Sequence, residues 1–305
     1  MAEVRSGNRL RSGLLILFFL FFAAVGPVAA QSGPAAESPA ASLRAKHVLL
    51  KDQLSQNHFQ RPLYMNSGEN ENRLRGEIHA VVDYPFTAAA SALKDATAWC
   101  DILSLHLNIK YCRVQTNHCR QKLLFYVGRK YEQPLENATP VEFTFSTAES
   151  SPGYLRVTLN APQGPFGTQD YKIQLEAIPV ERERTFIRLS YAYETSLMAK
   201  LAMQFYLNTL GSDKIGFTVV GSKSDGRPVY AGDMRGVVER NTMRYYLAVE
   251  AYLSALSVPE DRRLDARLQN WFAATERYPL QLHEIDRDAY LAMKHREHQR
   301  QLARP

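Results

Sequence analysis

The chain lacks most of the signals that announce chemistry. It has no Gly-x-Ser-x-Gly elbow, no phosphate-cradling glycine loop and no dinucleotide fingerprint, so neither nucleophile-elbow hydrolases nor nucleotide enzymes are indicated. His106, Cys112, His118 and Cys119 match no zinc-ligand spacing. His295 and His298 stand three apart, not the four of a metalloprotease helix. No metal and no cofactor is therefore expected. No internal repeat is present. After the first thirty residues no apolar run reaches the roughly 20 residues that a spanning helix needs.

What is present begins at the N-terminus. Arg5, Arg9 and Arg11 precede an unbroken apolar run from Leu14 to Val25. Gly26-Pro27 ends it, and the small residues Val28-Ala29-Ala30 follow. A charged start, a short apolar middle and a small-residue exit describe a secretory signal peptide, cleaved near Ala30. The run is too short and too interrupted for an anchor, and no cysteine at the exit or arginine pair suggests a lipoprotein or twin-arginine route. The expected location is export to the periplasm. Removal of residues 1–30 takes the net charge from +6 to +4. Such a mild balance does not indicate a nucleic-acid partner.

Export makes a disulfide the default use of nearby cysteines. Cys112 and Cys119 enclose six residues with the turn-former Asn117, and the reading favours that pair, with Cys100 left as a small buried hydrophobe. The alternative joins Cys100 to Cys112 and leaves Cys119 free.

Residues 31–42 are rich in Ala, Pro and Ser and read as a flexible leader; with the mixed segment to residue 74 they form an N-terminal extension. Apolar residues at Ile78, Ala80 and Val82 alternate as in a strand, which Tyr84-Pro85 stops. Residues 86–107 carry a helical period, with a polar stretch at Lys94–Thr97 that suits a break. Five strands follow, through Leu123–Arg129 and around Phe143, Val157, Ile173 and Leu189. Turn signals such as Ser151-Pro152-Gly153 separate them, so they read as an antiparallel meander with one wet face. A helix is expected at 196–208, a strand at 214–220 and a turn at Ser224–Arg227. A long helix then carries Val238, Thr242, Tyr245, Val249, Tyr252 and Leu256. Pro259 breaks it, and residues 284–304 read as a charged, solvated helix.

The strand-Pro-helix opening Gly76-Glu77-Ile78-His79-Ala80-Val81-Val82-Asp83-Tyr84-Pro85-Phe86, the helices to Asn108, the meander through Val220 and the helix Asn241–Leu256 resemble the START-like superfamily. That superfamily includes polyketide cyclases, plant pathogenesis-related proteins and lipid-transfer domains. The resemblance covers residues 75–256. It implies an α+β helix-grip fold, a curved antiparallel sheet wrapped on a long C-terminal helix, with an apolar cavity between them and an apolar or amphipathic small molecule, such as a lipid, as partner. The chain departs from the pattern in its signal peptide, its helix at 196–208 and its charged helical extension at 257–305.

The candidate ligand-binding residues are Trp99, Phe143, Tyr171, Tyr191, Tyr193 and Tyr245, with Arg240 and Arg244 to meet an acidic head at the cavity mouth. The arginines also suit an exposed face or a pairing with Glu239 or other acids, and the aromatic residues equally suit a filled core. The basic segment Arg287–Arg304 is a candidate for peripheral contact with anionic membrane. Two alternatives stay open. A cyclase- or hydrolase-type enzyme would show a buried, shifted His79 or His106, with His79 and Asp83 on one strand face as an acid–base pair. A non-catalytic interaction protein would have a filled core and an exposed stripe through Leu264, Leu268, Trp271 and Phe272.

Overall fold

A computed structural model describes residues 38–117, 120–151, 153–181, 183–196, 198, 200, 201 and 214–303. The expected signal peptide and most of the expected helix at 196–208 lie outside the described residues.

Pro39 at the first helical turn and the Ser38 hydroxyl, which accepts from the Ala41 N–H at 3.2 Å, start helix α1 (Pro39–Leu49). Helix α2 (Lys51–Ser55) follows. Eight strands then make one sheet: β1 (Leu63–Asn70), β2 (Arg73–Val82), β3 (Ile109–Asn117), β4 (Arg120–Val127), β5 (Thr139–Ser151), β6 (Tyr154–Gln163), β7 (Thr168–Val180) and β8 (Arg184–Thr195). Their order is β1-β2-β8-β7-β6-β5-β4-β3, antiparallel throughout. Helices α3 (Phe86–Leu93) and α4 (Ala96–Ser104) connect β2 to β3, and they divide at the polar break the sequence suggested. Asp95 caps α4 by accepting from the Thr97 N–H at 2.8 Å.

A two-stranded hairpin, β9 (Val219–Ser222) and β10 (Pro228–Tyr230), is turned by Ser224–Arg227, where Gly226 takes φ +79°. Helix α5 (Asp233–Ser254) then lies across the sheet, resting on β1, β2 and β8 and against α4. Gly76 of β2 lets it come close. A Cβ at Gly76 would meet the Thr242 side chain and lie 3.3 Å from the Val238 carbonyl. Helices α6 (Glu260–Thr275), α7 (Pro279–Leu282) and α8 (Arg287–Leu302) complete the fold. An eight-stranded antiparallel sheet gripping a long C-terminal helix is an α+β helix-grip architecture. No helix among the described residues is long and apolar enough to cross a membrane.

Four expectations change. First, the flexible leader expected at 31–42 gives way to helix from Pro39. Residues 63–70 pair with β2, and α1 and α2 set Ala40, Leu43, Leu50 and Leu54 against Val81, Tyr154, Ile178 and Phe186 on the outer face of the sheet. The face expected to be wet is thus covered at one end, which explains why β2 is buried on both sides.

Second, Cys112 is bonded to Cys100, not to Cys119. The β3–β4 register sets Asn117 opposite Arg120 at the hairpin end and Cys112 opposite Phe125. A strand rises about 3.3 Å per residue, so Asn117 is carried some 16 Å from Cys112. Cys100 on α4 faces β3 with Cα atoms 5.4 Å apart, inside the range a disulfide spans.

Third, α8 is not a solvated tail. The Tyr290 ring lies 5.1 Å from the Trp271 ring, and its hydroxyl donates to the Leu105 carbonyl at 2.9 Å. Glu297 accepts from both Lys110 and Lys294, and all three are buried. Fourth, the stripe proposed for a protein partner is occupied: Leu268 and Trp271 are buried, and Leu264 and Phe272 pack on the same core.

The close approach at Gly76 yields a test. Gly76→Ala overpacks the β2–α5 contact and is expected to cost about 1–3 kcal/mol in urea denaturation, with no change in the surface exposed on unfolding.

Candidate ligand cavity

The support of α5 is uneven. It rests on β1, β2 and β8, while β4, β5 and β7 stand away from it. The space left is a cavity of about 780 Å³. That lies within the roughly 300–1,000 Å³ common for small-molecule sites. The sheet contributes Phe125, Val141, Phe143, Tyr171, Ile173 and Tyr191, all at inward positions of their strands. Val237, Arg240, Asn241, Arg244 and Tyr245 come from α5. Leu103 and His106 close the α4 end, and Lys130, Lys214 and Glu284 arrive on loops.

The aromatic wall is ordered edge to face. Phe125 and Phe143 meet at 5.6 Å, Phe143 and Tyr171 at 6.3 Å, and Tyr191 and Tyr245 at 5.1 Å. The Tyr171 hydroxyl shares a 2.8 Å hydrogen bond with Thr168. Burial raises the pKa of Tyr171, Tyr191 and Tyr245, so these hydroxyls stay neutral near pH 7.

Of the expected residues, Phe143, Tyr171, Tyr191, Arg240, Arg244 and Tyr245 line this cavity. Trp99 and Tyr193 do not. Trp99 is fully buried under α3, its indole N–H donating to the Leu93 carbonyl at 2.8 Å. Tyr193 stacks behind Tyr171 at 5.1 Å. The arginines are not on an exposed face: Arg240 is 5 % and Arg244 2 % exposed. Glu239 is spent elsewhere, accepting the Phe217 and Thr218 N–H groups at 2.6 and 2.9 Å and pinning that segment to α5.

The polar end centres on Glu284. Its carboxylate accepts from Lys130 at 2.6 Å and Arg244 at 2.9 Å, with Lys214 at 3.4 Å. Burial pushes its pKa up, but Arg244 and then Lys130 outweigh burial and hold it down at about 2. Burial, then the Arg244 charge, lowers Lys130 to about 8 against the pull of Glu284. No periodic pattern marks Lys130 or Glu284, because both sit on loops; only their meeting in space shows them.

His106 was noted in the sequence only as a poor zinc ligand or a conditional acid–base group. It is 3 % exposed, with its ring 5.1 Å from that of Tyr245. Burial, then Arg244, Lys294 and Lys130, keep its pKa well below 6.5, with Asn241 opposing them in part. The ring is therefore neutral at pH 7. Nδ1 accepts the Asn108 N–H at 3.1 Å, which leaves the proton on Nε2. His79 lies on the other face of the sheet, stacked on Phe186 and 3.5 Å from Glu77, and is not in the cavity. It does not serve there with Asp83. Among the described residues no group of three or more His, Cys, Asp or Glu is placed to hold a metal ion.

No family model and no curated protein matches the chain. Solved structures resemble it weakly. The Zhui aromatase/cyclase from Streptomyces sp. R1128 is 13% identical over 70% of this chain and 95% of its own, at TM-score 0.31. Human StAR-related lipid transfer protein 5 is 6% identical over 51% and 80%, at TM-score 0.29. Norcoclaurine synthase from Thalictrum flavum is 10% identical over 49% and 76%, at TM-score 0.30. Likenesses of this order assign no ligand and no reaction; the helix-grip architecture stands on the sheet order and the gripped helix.

The cluster around Glu284 predicts an acid dependence. A carboxylate whose pKa is lowered on folding stabilises the fold above the ordinary pKa of 4.5, and that contribution disappears as pH falls toward about 2. Glu284→Gln is expected to cost about 3 kcal/mol at pH 7, since it leaves buried cations without their partner. Urea titrations should show the gap from the parent protein closing between pH 4.5 and 2.

Proposed function

We propose that this protein is exported to the periplasm, loses residues 1–30 near Ala30, and encloses an apolar or amphipathic small molecule, such as a lipid, between its sheet and α5. The observation that carries this reading is the cavity itself. Its walls are mostly apolar and aromatic, its polar groups gather at one end, and it is not filled by side chains. A filled core would have left no such space. Loading from an anionic membrane is part of the proposal, through exposed basic residues of α8 such as Arg287.

Native mass spectrometry of protein taken from the exported fraction without detergent tests it. An added mass of a few hundred daltons, removed on denaturation, is expected. Ile173→Trp, which fills the cavity from β7, should reduce that occupancy about tenfold while the fold persists. A bare mass that stays bare after lipid challenge would sink the binding proposal.

One observation favours a second reading, an enzyme of cyclase or hydrolase type. His106 is neutral, buried and set beside Tyr245 at the cavity wall, as a proton-transferring base requires. If it transfers protons, the molecule released from His106→Gln will differ from the one released from the parent protein in mass or, for an isomerising ring closure, in chromatographic retention. Identical molecules leave a carrier.

A further inference from the structure

Among the described residues, three lysines hold their protons less firmly than usual, because burial disfavours the ammonium form. Two of them serve the frame. Lys110 and Lys294 are buried, and Lys294 spends its three N–H groups on the carbonyls of His106 and Ile109 and on Glu297. Lys130 differs. It stands on a loop at the polar end of the cavity, and its side chain is 35 % exposed. Among the described residues it donates to Glu284 alone, which leaves two of its three N–H groups for a ligand. Lys130 and Arg244 donate to the same Glu284 oxygen, Oε1, at 2.6 and 2.9 Å. A guanidinium keeps its proton near pH 7, so the lysine is the member of this pair that can release one. An amine beside a fixed cation at the wall of an apolar pocket is the arrangement that makes lysine a nucleophile. The other charged or titratable groups facing it are Arg129 and Tyr131 on its own loop, Arg240 on α5, His106 and Lys214.

We infer that Lys130 is a nucleophilic amine and that the cavity takes an apolar aldehyde or ketone, which Lys130 holds as an imine. The ammonium sheds a proton to water on its exposed side, and the neutral amine attacks the carbonyl carbon. A C–N bond forms while the C=O π pair moves to oxygen. One proton passes from nitrogen to that oxygen, the proton first shed returns to it, and the nitrogen lone pair expels it as water. In sum, ammonium and carbonyl compound become iminium and water. The nitrogen carries one positive charge at the start and at the end, so Glu284 keeps its cation. The step needs no oxidant or reductant. The apolar body of the ligand lies along Phe125, Phe143 and Ile173, where the wall is hydrophobic.

This inference rests on the binding reading above, and the test keeps the two apart. The purified full-length mature chain is incubated with 2-naphthaldehyde and quenched with sodium borohydride, which reduces an imine to a stable amine. Peptide mass mapping then locates the labelled lysines. At pH 7 Lys130 is expected to be labelled about tenfold or more faster than an exposed lysine such as Lys223. That lead should shrink as pH rises from 8 toward 10.5, because ordinary lysines then become neutral as well. Glu284→Gln removes the carboxylate that favours the ammonium form and should widen the lead at pH 7. 2-Methylnaphthalene, which has the same body and no carbonyl, should slow labelling of Lys130 and leave Lys223 unaffected. In parallel, displacement of the fluorescent dye N-phenyl-1-naphthylamine by 2-methylnaphthalene reports cavity binding without any imine. Dye displacement with Lys130 labelled no faster than Lys223 overturns the imine and leaves the cavity proposal standing. Absence of both dye binding and selective labelling overturns both.

Discussion

Everything distinctive in this molecule follows from how α5 meets the sheet. A long antiparallel sheet with one apolar face must be covered, and a single helix of 22 residues cannot cover eight strands. It is seated on β1, β2 and β8, where Gly76 lets the backbones approach. Strands β4, β5 and β7 are left facing the helix across a gap. The fold could have filled that gap with larger side chains. Instead it is walled by rings held in edge-to-face contact with one another, which keeps the surface rigid without closing the space.

The remaining elements stabilise that uneven seat from outside. Glu239 fastens the segment before the hairpin to α5. Trp271 of α6 donates to the Arg244 carbonyl, and α8 sets Lys294 against the carbonyls of His106 and Ile109. The disulfide ties α4 to β3 at the same end. The C-terminal helices thus complete the cavity's frame, and Glu284, on the loop before α8, reaches back to the cations at its edge. The charge of these helices had suggested solvation, but Lys110, Lys294 and Glu297 satisfy one another in the interior.

Much of the frame was legible because it repeats. Alternation located the strands around Phe143, Val157, Ile173 and Leu189, and the three-and-four spacing from Val238 to Leu256 located α5. Those same patterns brought Phe143, Tyr171, Tyr191 and Tyr245 to the cavity, since inward strand positions and one helix stripe must face each other. Trp99 and Tyr193 were misplaced for a related reason. Periodicity tells which face a side chain is on, not whether the space before it is empty or packed. The sequence favoured pairing Cys112 with the cysteine nearest along the chain, which lies outside the described residues, whereas α4 brings Cys100 to it.

By itself the sequence determined the class of fold, the five strands of the meander, the long helix and the inward rows of aromatic residues. These depend on local spacing, which a chain carries wherever it folds. Tertiary structure alone decided that α1 covers the outer face, that one face of α8 is buried, that His79 and His106 lie on opposite sides of the sheet, and that Lys130, Lys214, Arg244 and Glu284 converge. Those facts depend on distances between segments far apart along the chain. Such distances are set by which apolar surfaces find each other, and a charge on a loop carries no period to announce where it will arrive.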